Sequence, residues 1–325
     1  MDQMKVFSGS ANRPLAEAIA KHIGKPLGDA PHTVFPDGES FIKINEDIRG
    51  QDVFIIQPTC RPQNDNLMEL LLFIDAAQRA SAERITAVIP YYGYARQDRK
   101  DEGRVPISAK LVANMLEEAG ADRALCVHLH AYQIQGFFDI PVDHLLPEPV
   151  FGEYYAGLGL EDLTVVSPDV GNVKEARVYS ELLRGELAII DKERISGTEV
   201  RAGALIGTVE GRNVLIIDDM ISSGGTICKA ATLLKDRGAR DIHVAATHPM
   251  FVPGAVDRLA QAPITGITVT DTVPLSEEAA GCGLVKVLSM ADLLGDAIVR
   301  IHKHESISEL FLKKLRRPEE LMRQN

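Results

Sequence analysis

The chain has 325 residues, 45% of them apolar and 25% charged, with a formal net charge of −11 at pH 7; that length suits about two domains, each with its own core. The negative balance argues against non-specific nucleic-acid binding, which needs a basic surface, and leaves only local basic pockets for anionic ligands. The longest apolar stretch, Leu70 to Ala77, is too short to span a bilayer and contains Asp75, and Met1 to Gly9 lacks the apolar centre of a secretory leader. Four cysteines, Cys60, Cys126, Cys228 and Cys282, lie far apart with no Cys-x-x-Cys, so neither a disulfide framework nor a zinc site is indicated. A cytoplasmic protein with no nucleic-acid partner and no membrane partner is expected.

In chain order, Phe35 to Glu39 first sets an aromatic face beside the carboxylates of Asp37 and Glu39, a weak signal alone. Asp52 to Gln57 then reads as a buried strand, Asn66 to Ala80 as an amphipathic helix, and Ile85 to Pro90 as a second strand. Tyr91 to Lys110, broken by Gly93, Gly103 and Pro106, reads as a long charged loop past a strand end. Arg96, Arg99 and Lys100 could meet a polyphosphate there, since binding loops of open α/β folds lie beyond the carboxyl ends of strands. His128 and His130 fall on one face of an apolar strand; such a pair is more often satisfied in a core than bound to a metal or phosphate, and both readings stay open. Pro147 and Pro149 interrupt the periodicity and divide the chain into 1–147 and 148–325, with the last helix free to pack on the first half. Asp169, in Ser167 to Asp169, ends another strand and pairs chemically with His130 as nitrogen and oxygen ligands for Mg²⁺ carried by a nucleotide.

The strand–helix–strand pattern then returns at a nearly constant separation. Asn213 to Asp218 leads into a helix from about Thr226 to Arg237, closed by Gly238, and Ile242 to Thr247 follows. Two such units imply two duplicated, doubly wound parallel-sheet α/β domains. Only the second keeps a phosphate loop, Ser222, Ser223, Gly224, Gly225 and Thr226, whose N–H groups and hydroxyls can converge on one anion at a helix N-terminus. Asp218 and Asp219 would repel that anion, so they suit neutral hydroxyls or a divalent cation. A ribose 5-phosphate supplies both. The loop has neither the Walker A lysine nor dinucleotide glycine spacing. The matching loop of the first unit, Gln57 to Pro62, lacks acids and glycines, so that half serves a different ligand or subunit packing.

Taken together, Phe35 to Glu39, Asn64 to Leu70, Tyr94 to Asp98, Gln133 to Asp139, Ser167 to Asp169, Asp191-Lys192 and Asp218 to Met220 resemble, in order, the ribose-phosphate pyrophosphokinase family. The resemblance implies a type I phosphoribosyltransferase-like fold, assembly as a homo-oligomer, a hexamer in the family, and transfer of the β,γ-diphosphoryl group of Mg-ATP to the C1 hydroxyl of ribose 5-phosphate, with AMP released. It implies that Phe35, Asp37, Glu39, Arg96 and Gln97 hold ATP, partly across a subunit boundary, and that His130 and Asp169 are Mg²⁺ ligands. It gives the ribose hydroxyls to Asp218 and Asp219, the 5-phosphate to Ser222 through Thr226, and catalysis to Lys192 and Arg194 on a closing loop. Fixed cations and Mg²⁺ suit a reaction that gathers negative charge. It further implies an effector site for phosphate and ADP built from Arg49, Gln133, Ser306, Ser308 and Phe311; helix capping by serine is the other reading of that segment.

Three departures stand out: His128 and Ser222-Ser223 occupy positions where the family has Asp and Asp-Thr, and Gly171-Asn172 replaces Gly-Gly. A non-catalytic or altered-substrate paralogue and a phosphoribosyltransferase are the alternatives. The retained Lys192 and Arg194 disfavour the first, and the retained Phe35, Arg96 and Gln97 disfavour the second. The tail after Leu312 extends past the family's usual end and is assigned no function.

Overall fold

The computed structural model describes residues 3–194 and 200–310; these fall into two compact units, 3–146 with 290–310, and 147–194 with 200–289. The first contains β1 (Met4–Ser8), α1 (Arg13–Ile23), β2 (His32–Val34), β3 (Ser40–Ile42), β4 (Asp52–Ile56), α2 (Gln63–Arg79), β5 (Arg84–Ile89), α3 (Ser108–Glu118), β6 (Arg123–Val127) and β7 (Val142–Leu145). The second contains α4 (Glu148–Leu158), β8 (Leu163–Ser167), α5 (Val173–Leu182), β9 (Glu186–Arg194), β10 (Val200–Ile206), β11 (Asn213–Ile221), α6 (Gly225–Asp236), β12 (Ile242–Pro249), α7 (Ala255–Ala260), β13 (Gly266–Thr270), α8 (Glu277–Ala280) and β14 (Val285–Leu288). Helix α9 (Ala291–His302) belongs to the first unit and packs on α1.

Both units are parallel sheets with the same strand order. The first runs β1-β4-β5-β6-β7, and the second runs β8-β11-β12-β13-β14 with the antiparallel pair β9 and β10 added beside β8. Central parallel strands are covered on both faces and therefore read as unbroken apolar runs. Val53 to Ile56 of β4 and Val214 to Ile217 of β11 are at most 1% exposed, and burying each such side chain contributes about 1.5–3 kcal/mol.

Local chemistry sets the helix ends. In α1, Asn12 accepts the Leu15 N–H, a proline sits in the first turn, and Gly24 closes the helix at φ +75. Pro147 and Pro149 open α4, where a missing N–H costs nothing. The close approach of α9 to α1 depends on Gly295, at which a Cβ would lie 2.6 Å from the His22 ring. Two ties hold the end of α9: Arg84 donates to Asp52 and to the Ile301 carbonyl, and His302 lies 2.7 Å from Asp52. Among the described residues no helix is long and apolar enough to cross a membrane.

Two expectations change. The charged stretch after β5 is shorter than expected, because Ser108 to Lys110 already belong to α3. Strand β6 stops at Val127, and His128 turns away at φ +40 with 2% exposure while His130 is exposed, so the two histidines do not share a strand face.

Candidate active site

In the second unit, β11 delivers Asp218 and Asp219, both half-buried, at its carboxyl end. The Asp219 N–H donates to Asp218 Oδ1 at 3.0 Å. Burial, then the neighbouring charges of Asp219 and Asp169, push the Asp218 carboxyl well above its ordinary range. Asp169 stands at the end of β8, the parallel neighbour of β11, and its Oδ1 accepts the N–H groups of Gly171 and Asn172 at 3.0 and 3.2 Å. The Asn172 amide donates to the Ile217 carbonyl at 3.0 Å, which fastens that turn to β11. A glycine at 172 could not make this tie, so the departure from Gly-Gly gains a structural role.

The loop Ser222 to Gly224 leads directly into α6, whose N-terminus has no side-chain cap. Its first-turn N–H groups are thus available to an anion. Gly224 adopts φ +73, and a Cβ there would lie 2.9 Å from Leu259 Cγ; backbone conformation and space both demand glycine. Ser223 and Thr226 are exposed, Ser222 and Gly225 half-buried. The segment after β12 lies along this loop. Phe251 N–H donates to Ile221, Val252 N–H to Ser222, and the Arg258 guanidinium to Ser223 at 2.6 Å, each to a carbonyl oxygen. Sequence reading missed Arg258, and it marked Asn172 only as a departure without a role; the usable signal was topological, because loops following adjacent parallel strands are neighbours.

Lys192 and Arg194 sit on the carboxyl-terminal stretch of β9, with backbones paired to Ala202 and Val200 of β10. They are therefore strand residues and not loop residues as expected, because the hairpin's ladder reaches them.

In the first unit, Phe35, Asp37 and Glu39 occupy the turn of the β2–β3 hairpin and are exposed. Phe35 N–H donates to the Glu39 carbonyl and Glu39 N–H to Asp37 Oδ1, while Phe35, 48% exposed, has its ring centroid 5.6 Å from that of Phe41. Arg96 and Gln97 are exposed in the loop after β5, where Ser108 donates to the Gln97 side-chain oxygen. A cavity of about 770 Å³ lies at the base of the hairpin among Ser10, His32, Arg61, Asp65 and Glu69; of the expected nucleotide residues it takes in only Glu39. His130 follows Leu129, whose N–H donates to His144 Nε2 at 2.8 Å.

His130 and Asp169 belong to different units, and among the described residues no three His, Cys, Asp or Glu side chains are grouped as a metal cage. Of the expected effector residues, Arg49 N–H donates to Asp47, Gln133 donates to Asp98 at 2.6 Å, and the Ser306 carbonyl accepts from Arg300. Ser308 opens the last described turn, and Phe311 lies outside the described residues. A cavity of about 370 Å³ between α1 and α9 is lined by none of these five.

Known proteins match nearly the full length of the chain. Residues 4–120 match the N-terminal domain of ribose phosphate pyrophosphokinase, and residues 199–312 match the phosphoribosyl synthetase-associated domain. The ribose-phosphate pyrophosphokinase of Rhodopirellula baltica is 54% identical over 96% of this chain and 99% of its own length. That of Ralstonia nicotianae is 52% identical over 95% and 98%. The crystal structure of phosphoribosylpyrophosphate synthetase from Mycobacterium smegmatis is 41% identical and aligns with a TM-score of 0.87 over 93% of this chain and 99% of its own. With both halves matched and relatives above half identity over nearly full length, the chain belongs to the ribose-phosphate pyrophosphokinase family.

Proposed function

We propose that the protein transfers the β,γ-diphosphoryl group of ATP to the C1 hydroxyl of ribose 5-phosphate, giving phosphoribosyl diphosphate and AMP. The observation that carries this reading is the end of β11, where two carboxylates precede a Ser-Ser-Gly-Gly-Thr turn at an uncapped helix N-terminus. The loop N–H groups and hydroxyls of Ser222 to Thr226 would hold the 5-phosphate. Asp218 and Asp219 would accept hydrogen bonds from the ribose hydroxyls and fix C1. Phe35, Asp37, Glu39, Arg96 and Gln97 would hold the nucleotide, the exposed Phe35 ring offering a face to the base. Lys192 and Arg194 would stabilise the charge that gathers on the transferred group and on departing AMP.

The oxygen-rich acids fit Mg²⁺: burial first, and then the neighbouring carboxylates, hold Asp218 protonation-prone, and a hard divalent cation relieves the repulsive part. Asp169, with His130, would hold the ion. Bound Mg²⁺ supplies charge neutralisation and alignment of the phosphates. Homo-oligomeric assembly as a hexamer, activation by phosphate and inhibition by ADP through Arg49, Gln133, Ser306, Ser308 and Phe311, and a cytoplasmic setting complete the reading.

The test is a coupled assay of AMP release from ATP and ribose 5-phosphate. AMP should form only when both substrates and Mg²⁺ are present, and exhaustive chelation should abolish it. Release of ADP instead, or activity that survives chelation, would refute the reaction as written.

A further inference from the structure

The carbonyls of the phosphate loop are tied in sequence. Ser222 O accepts Val252 N–H at 3.2 Å, Ser223 O accepts Arg258 Nη1 at 2.6 Å, and Gly224 O accepts Cys228 N–H at 2.9 Å. In a trans peptide the C=O and the N–H of the next residue point in opposite directions. Fixing these three oxygens toward the α7 segment and the body of α6 therefore turns the N–H groups of Ser223, Gly224 and Gly225 the other way. Gly224 adopts the left-handed conformation, φ +73, that an anion-binding turn of successive N–H groups uses. Two of the three ties are made by backbone, as any sequence could make them. The third is a side chain, from a helix more than thirty residues downstream. Leu259, the next residue, lies beneath Gly224, so α7 supports the loop from below and clasps it from outside.

We infer that Arg258 is a positioning residue for the sugar-phosphate cradle: its guanidinium holds the Ser223–Gly224 peptide plane so that the Gly224 N–H is already aimed at the anion before ligand arrives. The inference rests on the reading that this loop takes the 5-phosphate. Preorganised donors bind an anion without having to reorient first. The charged donor also makes this the strongest kind of single tie to a neutral carbonyl.

The experiment compares Arg258→Ala, Arg258→Lys and the loop control Thr226→Val in the full chain, with steady-state kinetics for both substrates. Arg258→Ala should raise KM for ribose 5-phosphate about fivefold to tenfold, leave KM for ATP unchanged and leave kcat at saturation within about twofold. Arg258 is exposed, so the ligand-free melting temperature should move by no more than about 2 °C. Arg258→Lys, which keeps a cationic donor, should recover most of the loss. An unchanged ribose 5-phosphate KM in Arg258→Ala, or an equal loss for both substrates with a lowered melting temperature, overturns the inference. Unchanged ribose 5-phosphate KM in Thr226→Val as well overturns the loop's assignment with it, which separates the two failures.

Discussion

The loops after β4 and β11 leave equivalent strands of two sheets built in the same order, yet they end in opposite electrostatic states. After β4, Gln57 is fully buried and satisfied: its oxygen accepts Ala11 N–H at 3.1 Å and its amide donates to Glu69 at 2.8 Å. Glu69, 2% exposed, also accepts the backbone N–H and the hydroxyl of Ser10. This edge closes on itself. After β11 the same edge gathers Asp169, Asp218 and Asp219, where burial and then the neighbouring carboxylates keep Asp218 reluctant to ionise. The difference teaches that one scaffold can spend its strand-end polar groups on internal hydrogen bonds or hold them for a ligand. Replacements at the first edge should therefore cost stability, and replacements at the second should cost activity.

The largest expected effect is at the second edge. Asp219→Asn should lower turnover by about a thousandfold, the scale of removing one preorganised polar group from a reacting centre, while circular dichroism and denaturation midpoint stay near those of the unaltered protein. A loss below about tenfold would mean that the acids are structural. Next comes the first edge. Glu69→Leu strands the Ser10 and Gln57 donors and should cost about 3 kcal/mol in denaturant unfolding; a change near zero would dissolve the contrast between the halves.

Asp218 sharpens it further. A carboxyl whose value is raised in the folded state contributes stability that is full below its ordinary value of 3.8 and lost as pH rises through the raised value. Asp218→Asn should consequently be more stable than the unaltered protein by about 1 kcal/mol at neutral pH, even though it loses turnover. The advantage should shrink to nothing in acid. Melting curves from pH 4 to pH 8 check both the sign and the window.

The smallest effect is expected from restoring a family residue. Ser222→Asp should change ribose 5-phosphate turnover by less than about tenfold, or roughly 1.4 kcal/mol, because the cradle and both aspartates remain. A larger rise, measured beside other pentose phosphates, would mean a different acceptor. Position 128 gives a less clean test, since His128 is buried at φ +40 and any replacement there perturbs packing first.

Much of this was legible in the sequence. Val53 to Ile56 and Val214 to Ile217 announce buried parallel strands, and the glycines after Asp219 announce a turn into a helix. What remained hidden depends on contacts between distant segments. Nothing local says that β6 ends at Val127 with His128 turned away and buried, that the β9–β10 ladder extends to Lys192 and Arg194, or that Arg258 reaches Ser223. Motif spacing reports along the chain, whereas these features are fixed by which strand ends lie side by side.

The most direct measurement is a crystal structure with ribose 5-phosphate bound. The expected result places the 5-phosphate within hydrogen-bond distance of the Ser223, Gly224 and Gly225 N–H groups and the Thr226 hydroxyl, with the ribose hydroxyls on Asp218 and Asp219. Density for the sugar phosphate at the β4–α2 edge, beside Arg61 and Glu69, would contradict the division of labour between the two halves.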